Sequence, residues 1–308
     1  MLKQILMSAL GWTLAGSVLA GSLGSQSAVW MRIPVDARSS AMADSLSAAT
    51  DDTGALGINP AGLALIKKPA MAFSHSFWAQ DLTLEHAAYG DSLGGVGFAV
   101  GGSYFNFGSV DQFTVGPGGP VANGAFTPQA MAFSAGGGFE ISKGLSGGAA
   151  ANWLGQNISN AWDSAFSANL GLLYQNESGF SAGAALLNAG QMLAGFSLPL
   201  QCSLGAAYRL PLAGVSPDLT DHSATLCGQW DYLPESSLSS LNFGGEYWYH
   251  QLIALRAGYR FSAYGSTEGL HGLTAGAGFK LSGFELSYAL VTLGSLGNSN
   301  QVSLSLQL

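Results

Sequence analysis

The chain has 308 residues, 48% of them hydrophobic and only 9% charged, with 44 glycines and a mean hydropathy of +0.27. An ordinary soluble domain carries about a quarter of its residues as Asp, Glu, Lys or Arg, so this chain lacks the charge to coat a water-facing surface. The net charge of −8 excludes a nucleic-acid partner, which needs a basic face.

At the N-terminus, Met1-Leu2-Lys3-Gln4 is a basic start, residues 5–19 are mostly apolar, and Val18-Leu19-Ala20 is a small-residue cleavage pattern. Residues 1–20 therefore read as a signal peptide. Residues 21–68 read as helical or irregular. Asp36 is placed to cap a short helix over 37–48, which is rich in Ala and Ser. Asn59 and Pro60 have the cap-then-proline order that opens a second helical turn over 61–66. Lys67 and Lys68 close it with cations at its negative end. The length of this segment suits a plug or hatch ahead of the main fold better than a separate domain. Asp51 and Asp52 have two readings: they bind a cation or meet a luminal arginine such as Arg256 or Arg260, or one of them caps a short helix over 53–58.

From Pro69 onward the chain breaks into alternating stretches near 70–78, 82–90, 95–107, 126–141, 145–155, 162–175, 180–188, 196–210, 222–232, 239–249, 253–262, 271–281, 284–293 and 299–308. After residue 20 no apolar run approaches the ~20 residues of a membrane-spanning helix. An apolar, weakly charged chain without such helices can satisfy its backbone in lipid as a closed barrel. The predicted fold class is all-β: a transmembrane antiparallel β-barrel of about fourteen strands over 69–308, with an N-terminal helical hatch in the lumen. Short turns (91–94, 142–144, 176–179, 250–252, 282–283) alternate with longer loops such as 108–125 and 263–270, which assigns the short rim to the periplasm. The connections near 79–81 and 211–221 break that rule.

Alternation also assigns faces. Leu273, Ala275, Ala277, Phe279 and Leu281 fall on one side and Lys280 on the other. Around the Ser282-Gly283 turn, Lys280 then opposes Glu285, and a three-residue turn at 250–252 sets Glu246 against Arg256. Both pairs read as lumen-facing ion pairs that stabilise the wall. Trp230, Tyr247, Tyr249, Tyr259, Phe261 and Tyr264 read as an interfacial aromatic girdle. Cys202 and Cys227 alternate onto opposite faces and read as two free thiols. The inward positions are mostly Gly, Ala or Ser, which suits packing against a hatch or a passage for apolar solutes better than an aqueous pore.

Catalysis is not expected. His75 and Glu85 oppose each other across the first hairpin, but Ser74 and Ser76 alternate onto the other face, so no nucleophile meets a base. No Cys/His cluster has metal-ligand spacing and no phosphate loop is present, so neither metal nor cofactor is predicted.

Two blocks carry a resemblance. Ala37-Arg38, Ala41-Met42-Ala43, Ala48-Ala49-Thr50-Asp51-Asp52 and Ala55-Leu56-Gly57-Ile58-Asn59-Pro60-Ala61-Gly62-Leu63 form the first, continued by Phe73-Ser74-His75-Ser76-Phe77-Trp78. Gly245-Glu246-Tyr247-Trp248, Leu255-Arg256-Ala257-Gly258-Tyr259 and Tyr288-Ala289-Leu290-Val291 form the second. Together they resemble the PorV/PorQ family of outer-membrane proteins, within the broader FadL-like group. The resemblance implies a fourteen-stranded barrel with a luminal hatch built on Asp51, Asp52, Asn59, Pro60, Ala61 and Gly62. It implies an outer-membrane protein of a Gram-negative-type bacterium, with outer-membrane lipid and the barrel-assembly machinery as partners. It also implies one of two roles. The first is a FadL-like conduit for hydrophobic small molecules. The alternative is a surface factor that binds type IX secretion components or cargo without transport.

Overall fold

The computed structural model describes residues 26–78, 81–159, 161–210, 212, 219–262 and 271–308. The expected signal peptide, the loop 263–270 with Tyr264 and most of 211–221 lie outside them. Strands β1 (Ala70–Phe77), β2 (Thr83–Leu93) and β3 (Val96–Asn106) start the wall. A hairpin, β4 (Val110–Gly116) and β5 (Gly119–Phe126), stands apart from it. The wall resumes with β6 (Gln129–Ser142), β7 (Leu145–Ile158), β8 (Ala161–Gln175) and β9 (Phe180–Gly190). It continues through β10 (Gln201–Leu210), β11 (Ser223–Leu233), β12 (Leu238–Tyr249) and β13 (Ile253–Ser262). Strands β14 (His271–Leu281), β15 (Phe284–Leu293) and β16 (Asn298–Gln307) complete the ring. Fourteen strands close into one antiparallel barrel, with β1 paired to β16 from Ala70↔Gln307 to Phe77↔Asn300.

Alternation builds this wall. Phe133, Phe166, Leu204, Leu226, Phe243, Leu255, Phe279 and Leu286 are each about half exposed on the outer surface, while Asn152, Asn242, Glu246, Arg256 and Gln301 face inward and are buried. Such an outer face suits hydrocarbon and not water. Trp230, Tyr247, Tyr249, Tyr259 and Phe261 also emerge on the outside. The thiols are free, Cys227 buried and Cys202 partly so. The turns β2–β3, β6–β7, β8–β9, β12–β13 and β14–β15 share a rim with Pro69 and Leu308, whose backbones are joined by a 2.8 Å hydrogen bond.

Two wall segments differ from expectation. The loop 108–125 folds largely as the β4–β5 hairpin: Val110, Phe113, Val115 and Val121 carry a weak alternation on either side of the Gly116–Gly119 turn. The strand expected over 196–210 begins only at Gln201. Pro199 has no N–H for a ladder, and Leu193 and Leu198 turn inward to the core.

The hatch enters this ring. Helix α1 (Ala37–Ala41) is capped by Asp36, whose side chain accepts from Ser39 N at 2.7 Å. It is shorter than expected, because Ala43 and Asp44 both take left-handed backbone (φ 53° and 59°) and end it. Helix α2 (Ala55–Ile58) and a 3₁₀ turn (Pro60–Leu65) follow. Wall glycines admit this backbone to direct contact: a Cβ at Gly97 would overlap the Leu63 carbonyl, one at Gly148 the Pro60 carbonyl, and one at Gly183 the Ser47 carbonyl. Replacing Gly148 with Val is expected to leave a closed barrel, seen as heat-modifiable gel mobility, but to unseat the hatch, seen as new tryptic cleavage at Arg38.

Candidate functional site

The hatch motif is tied down residue by residue. Asn59 donates from Nδ2 to Ser47 O (2.7 Å) and to Leu172 O of β8 (3.0 Å), while its Oδ1 accepts from Ala61 N at 3.2 Å. Pro60 starts the 3₁₀ turn and Ala61, Gly62 and Leu63 are buried beneath it. Lys67 Nζ caps the end by donating to Ala64 O at 2.8 Å. Asp52 closes an Asx turn, its Oδ1 accepting from Gly54 N at 2.8 Å. It does not cap α2, whose N-cap is Gly54 with no side-chain cap bond. Asp51 meets Arg38 at 3.0 Å and Arg209 of β10 at 3.8 Å, in place of Arg256 or Arg260. Arg260 instead reaches Asp44, at 3.5 Å. Among the described residues no group of His, Cys, Asp and Glu is arranged to hold a metal.

One chain of alternating charge runs from the hatch into the wall. Asp51 binds Arg38, and Arg38 places Nε and Nη2 on the two Glu246 oxygens, each at 3.1 Å. Glu246 also accepts from Arg256 Nε at 2.7 Å. Arg256 then donates to Ser287 Oγ (2.7 Å) and to Glu285 Oε1 (2.8 Å). The Arg256 side chain is fully buried and that of Glu246 is 4% exposed. Glu246 and Arg256 are register partners, as are Lys280 and Glu285. The second pairing is nevertheless not the ion pair expected from register. Gly278 has no side chain between β13 and β15, so the Arg256 guanidinium lies across that gap and takes Glu285. Lys280 Nζ rests 6.0 Å from the Trp248 ring centroid.

Sequence reasoning missed two members of the site. Arg38 joins hatch to wall, and its basic side chain between small residues was the available signal. Asp231 was the other: its buried carboxylate accepts from Ser203 Oγ (2.6 Å), Gln229 Nε2 (2.8 Å), Gln201 Nε2 (3.1 Å) and Asn242 Nδ2 (2.7 Å). Gln229 Oε1 in turn accepts from Ser47 N at 2.8 Å, which props the hatch. The signal was a set of polar residues at inward parity on adjacent strands. Inside the lumen, His86 Nδ1 and Ser103 Oγ are in hydrogen-bond contact at 2.9 Å.

The lumen has two unlike halves. Toward the rim opposite the termini, Trp30, Leu84, Phe105, Leu154, Leu193 and Leu198 form a closed apolar core on one side, with Trp30 stacked on Phe105 at 5.8 Å, and the Asp231 network occupies the other. Toward the terminal rim lies a cavity of about 730 Å³, lined by Arg38, Asp51, Asp52, Lys67, Arg209, Glu246, Trp248 and Lys280 among others. The hatch is the partition between them.

Burial sets the ionisation of the hatch. It pushes Asp52 up from 3.8 to about 7, reinforced by the neighbouring Asp36 and Asp51 and opposed by Arg38. Asp44 likewise rises to about 7 through burial, with Arg260 opposing. Burial works against the charge on Arg38, but Glu246, Asp51 and Asp52 overcome it and hold its pKa well above the ordinary value.

The fold is a closed barrel of fourteen antiparallel strands with an N-terminal segment packed in its lumen, and solved structures share it. The chain superposes on the toluene transporter TodX of Pseudomonas putida with a TM-score of 0.64 at 13% identity, covering 89% of this chain and 98% of that one. For the toluene transporter TbuX of Ralstonia pickettii the TM-score is 0.60 at 14% identity, with coverage of 88% and 96%. For a FadL homologue of Pseudomonas aeruginosa it is 0.56 at 11% identity, with coverage of 88% and 97%. No family model matches the chain, and no curated protein matches it in sequence.

Removing one partner of a buried ion pair typically costs about 3 kcal/mol or more. Glu246→Gln is therefore expected to loosen the hatch, read as faster amide exchange over residues 36–52, whereas Lys280→Gln leaves exchange near the wild-type rate. The carboxyls give a pH dependence of definite sign. A carboxyl whose folded pKa lies above its unfolded one stabilises fully below the unfolded value and loses that contribution as pH rises through the folded value. Hatch docking should thus weaken from about pH 4 to about pH 7. Amide exchange of the hatch, corrected for intrinsic rates, should quicken over that window, and Asp52→Asn should flatten the response.

Proposed function

We propose that this chain is an outer-membrane conduit for small hydrophobic compounds in a Gram-negative-type bacterium, exported by the signal peptide at 1–20 and gated by its hatch. The observation that carries the reading is the apolar core in the outer half of the lumen, from Trp30 and Phe105 to Leu193 and Leu198. A pore for hydrophilic solutes would line that tract with polar or charged groups. An apolar tract offers hydrocarbon a place to partition, and the solved barrels of similar fold include toluene transporters. Passage requires the hatch to yield, and the Asp51–Arg38–Glu246 link is its latch. Flux would run down the solute's gradient.

A second reading, a PorV/PorQ-type surface factor, draws on the β4–β5 hairpin. It stands outside the ring with Phe113 at 60% and Val115 at 99% exposure, an apolar surface that a secreted protein could cover. Co-purification of exported proteins carrying a C-terminal sorting domain, lost on trimming the hairpin, would favour that role.

The conduit is tested by deleting residues 40–62 and following uptake of a lipophilic dye by cells producing the barrel. Uptake is expected to rise severalfold, and Arg38→Gln is expected to raise it in the same direction. Uptake equal to wild type in both would defeat gating by the hatch.

A further inference from the structure

Charge on this barrel is nearly all turned inward. Arg209, Asp231, Glu246, Arg256, Arg260, Lys280 and Glu285 share the inward parity of their strands. Among the Asp, Glu, Lys and Arg side chains on the described wall strands, Glu85 and Asp91 have outward parity, each two residues from an end of β2. Of the two, Glu85 borders a hollow in the wall. Its partner is His75, opposite it in the β1–β2 register, with Nδ1 and Oε1 2.5 Å apart. Glu85 is nearly half exposed, and this bond occupies one carboxylate oxygen, leaving the second to accept from a ligand.

Directly below this pair the wall is hollowed. Ala87 and Gly102, adjacent in the β2–β3 register, form a floor, and Phe73 and Phe133 rise on either side of it. The groove has a volume of about 690 Å³, within the range of small-molecule sites, ~300–1,000 Å³. His75 and Glu85 each lie two residues from the outer ends of their strands, at Phe77 and Thr83. At about 3.3 Å per residue, that sets them roughly 7 Å below the rim. The polar end is thus near the membrane interface and the trough runs toward the bilayer centre.

We propose that this groove binds a single-chain amphiphile of the surrounding bilayer, its hydrogen-bond-donating cationic head on Glu85 and its chain in the trough over Ala87 and Gly102. The carboxylate selects a donor of positive charge, and the flanking phenyl rings select an extended alkyl chain. A second copy of the barrel fits less well. Two grooves brought face to face across a two-fold axis would enclose a void, whereas stable interfaces are closely packed. The head and chain sit on the bilayer side of the wall, and Ser74, His86 and Ser103 of its inward face complete the lining.

The test is native mass spectrometry of the whole barrel released from a nonionic detergent, titrated with dodecylamine, dodecanol and dodecanesulfonate. One dodecylamine is expected per barrel, with dodecanol weaker and dodecanesulfonate absent. Glu85→Gln should weaken dodecylamine by about tenfold or more, the scale of a charge-assisted hydrogen bond. Ala87→Leu, which fills the trough, should abolish retention. Heat-modifiable gel mobility verifies that both variant barrels have closed. Equal retention of the sulfonate, full binding by Glu85→Gln, or a dimer that Ala87→Leu disperses would each overturn the assignment.

Discussion

A closed wall of strands satisfies its own backbone, but the hatch it encloses cannot. Its irregular segments, such as 42–54, and the ends of its short helices carry N–H and C=O groups that need partners wherever they are buried. The wall supplies many of them. Asn169 donates to Leu56 O, Thr274 to Ala41 O and Gln301 to Pro34 O, while Ser303 accepts from Ala37 N. Such short-range bonds require the two backbones to approach closely, and the glycines at inward positions allow it. Part of the unusual glycine content follows from this requirement.

Electrostatics then divides the interior. The polar vestibule gathers the charge chain from Asp51 to Glu285, while the opposite half pairs an apolar core of Trp30, Phe105 and leucines with the Asp231 network. Arg38 is the hinge between these worlds. It belongs to the hatch yet is held by a carboxylate of the wall, so the position of the hatch and the pairing of Glu246 are one variable. Any displacement of the hatch works against that pairing.

Much of the wall was legible because one physical rule, alternation, acts on every strand. The count of fourteen followed from it. Turn lengths alone placed Glu246 opposite Arg256, Lys280 opposite Glu285 and His75 opposite Glu85. What the chain did not disclose were contacts that skip a strand or join distant segments. Arg256 crosses Gly278 to reach Glu285, and no pairwise register rule anticipates such a reach. Arg38 finds Glu246 across 208 positions of sequence. The helix expected over 37–48 ended early because the wall claims its carbonyls: Thr274 takes Ala41 O and Arg260 takes Ala43 O. Local propensity there yields to tertiary demand.

The grip of β16 on the hatch bears on how the molecule is assembled. Ser303 and Gln301 hold Ala37, Ser40 and Pro34, so an earlier segment is fastened by one more than 250 positions later. Contacts of such long sequence separation form slowly, since the intervening loop must close before they yield any gain. The early segment must therefore wait unfolded, or be chaperoned, until the seam between the first and last staves is sewn, and the stopper enters the cask as the cask is built around it.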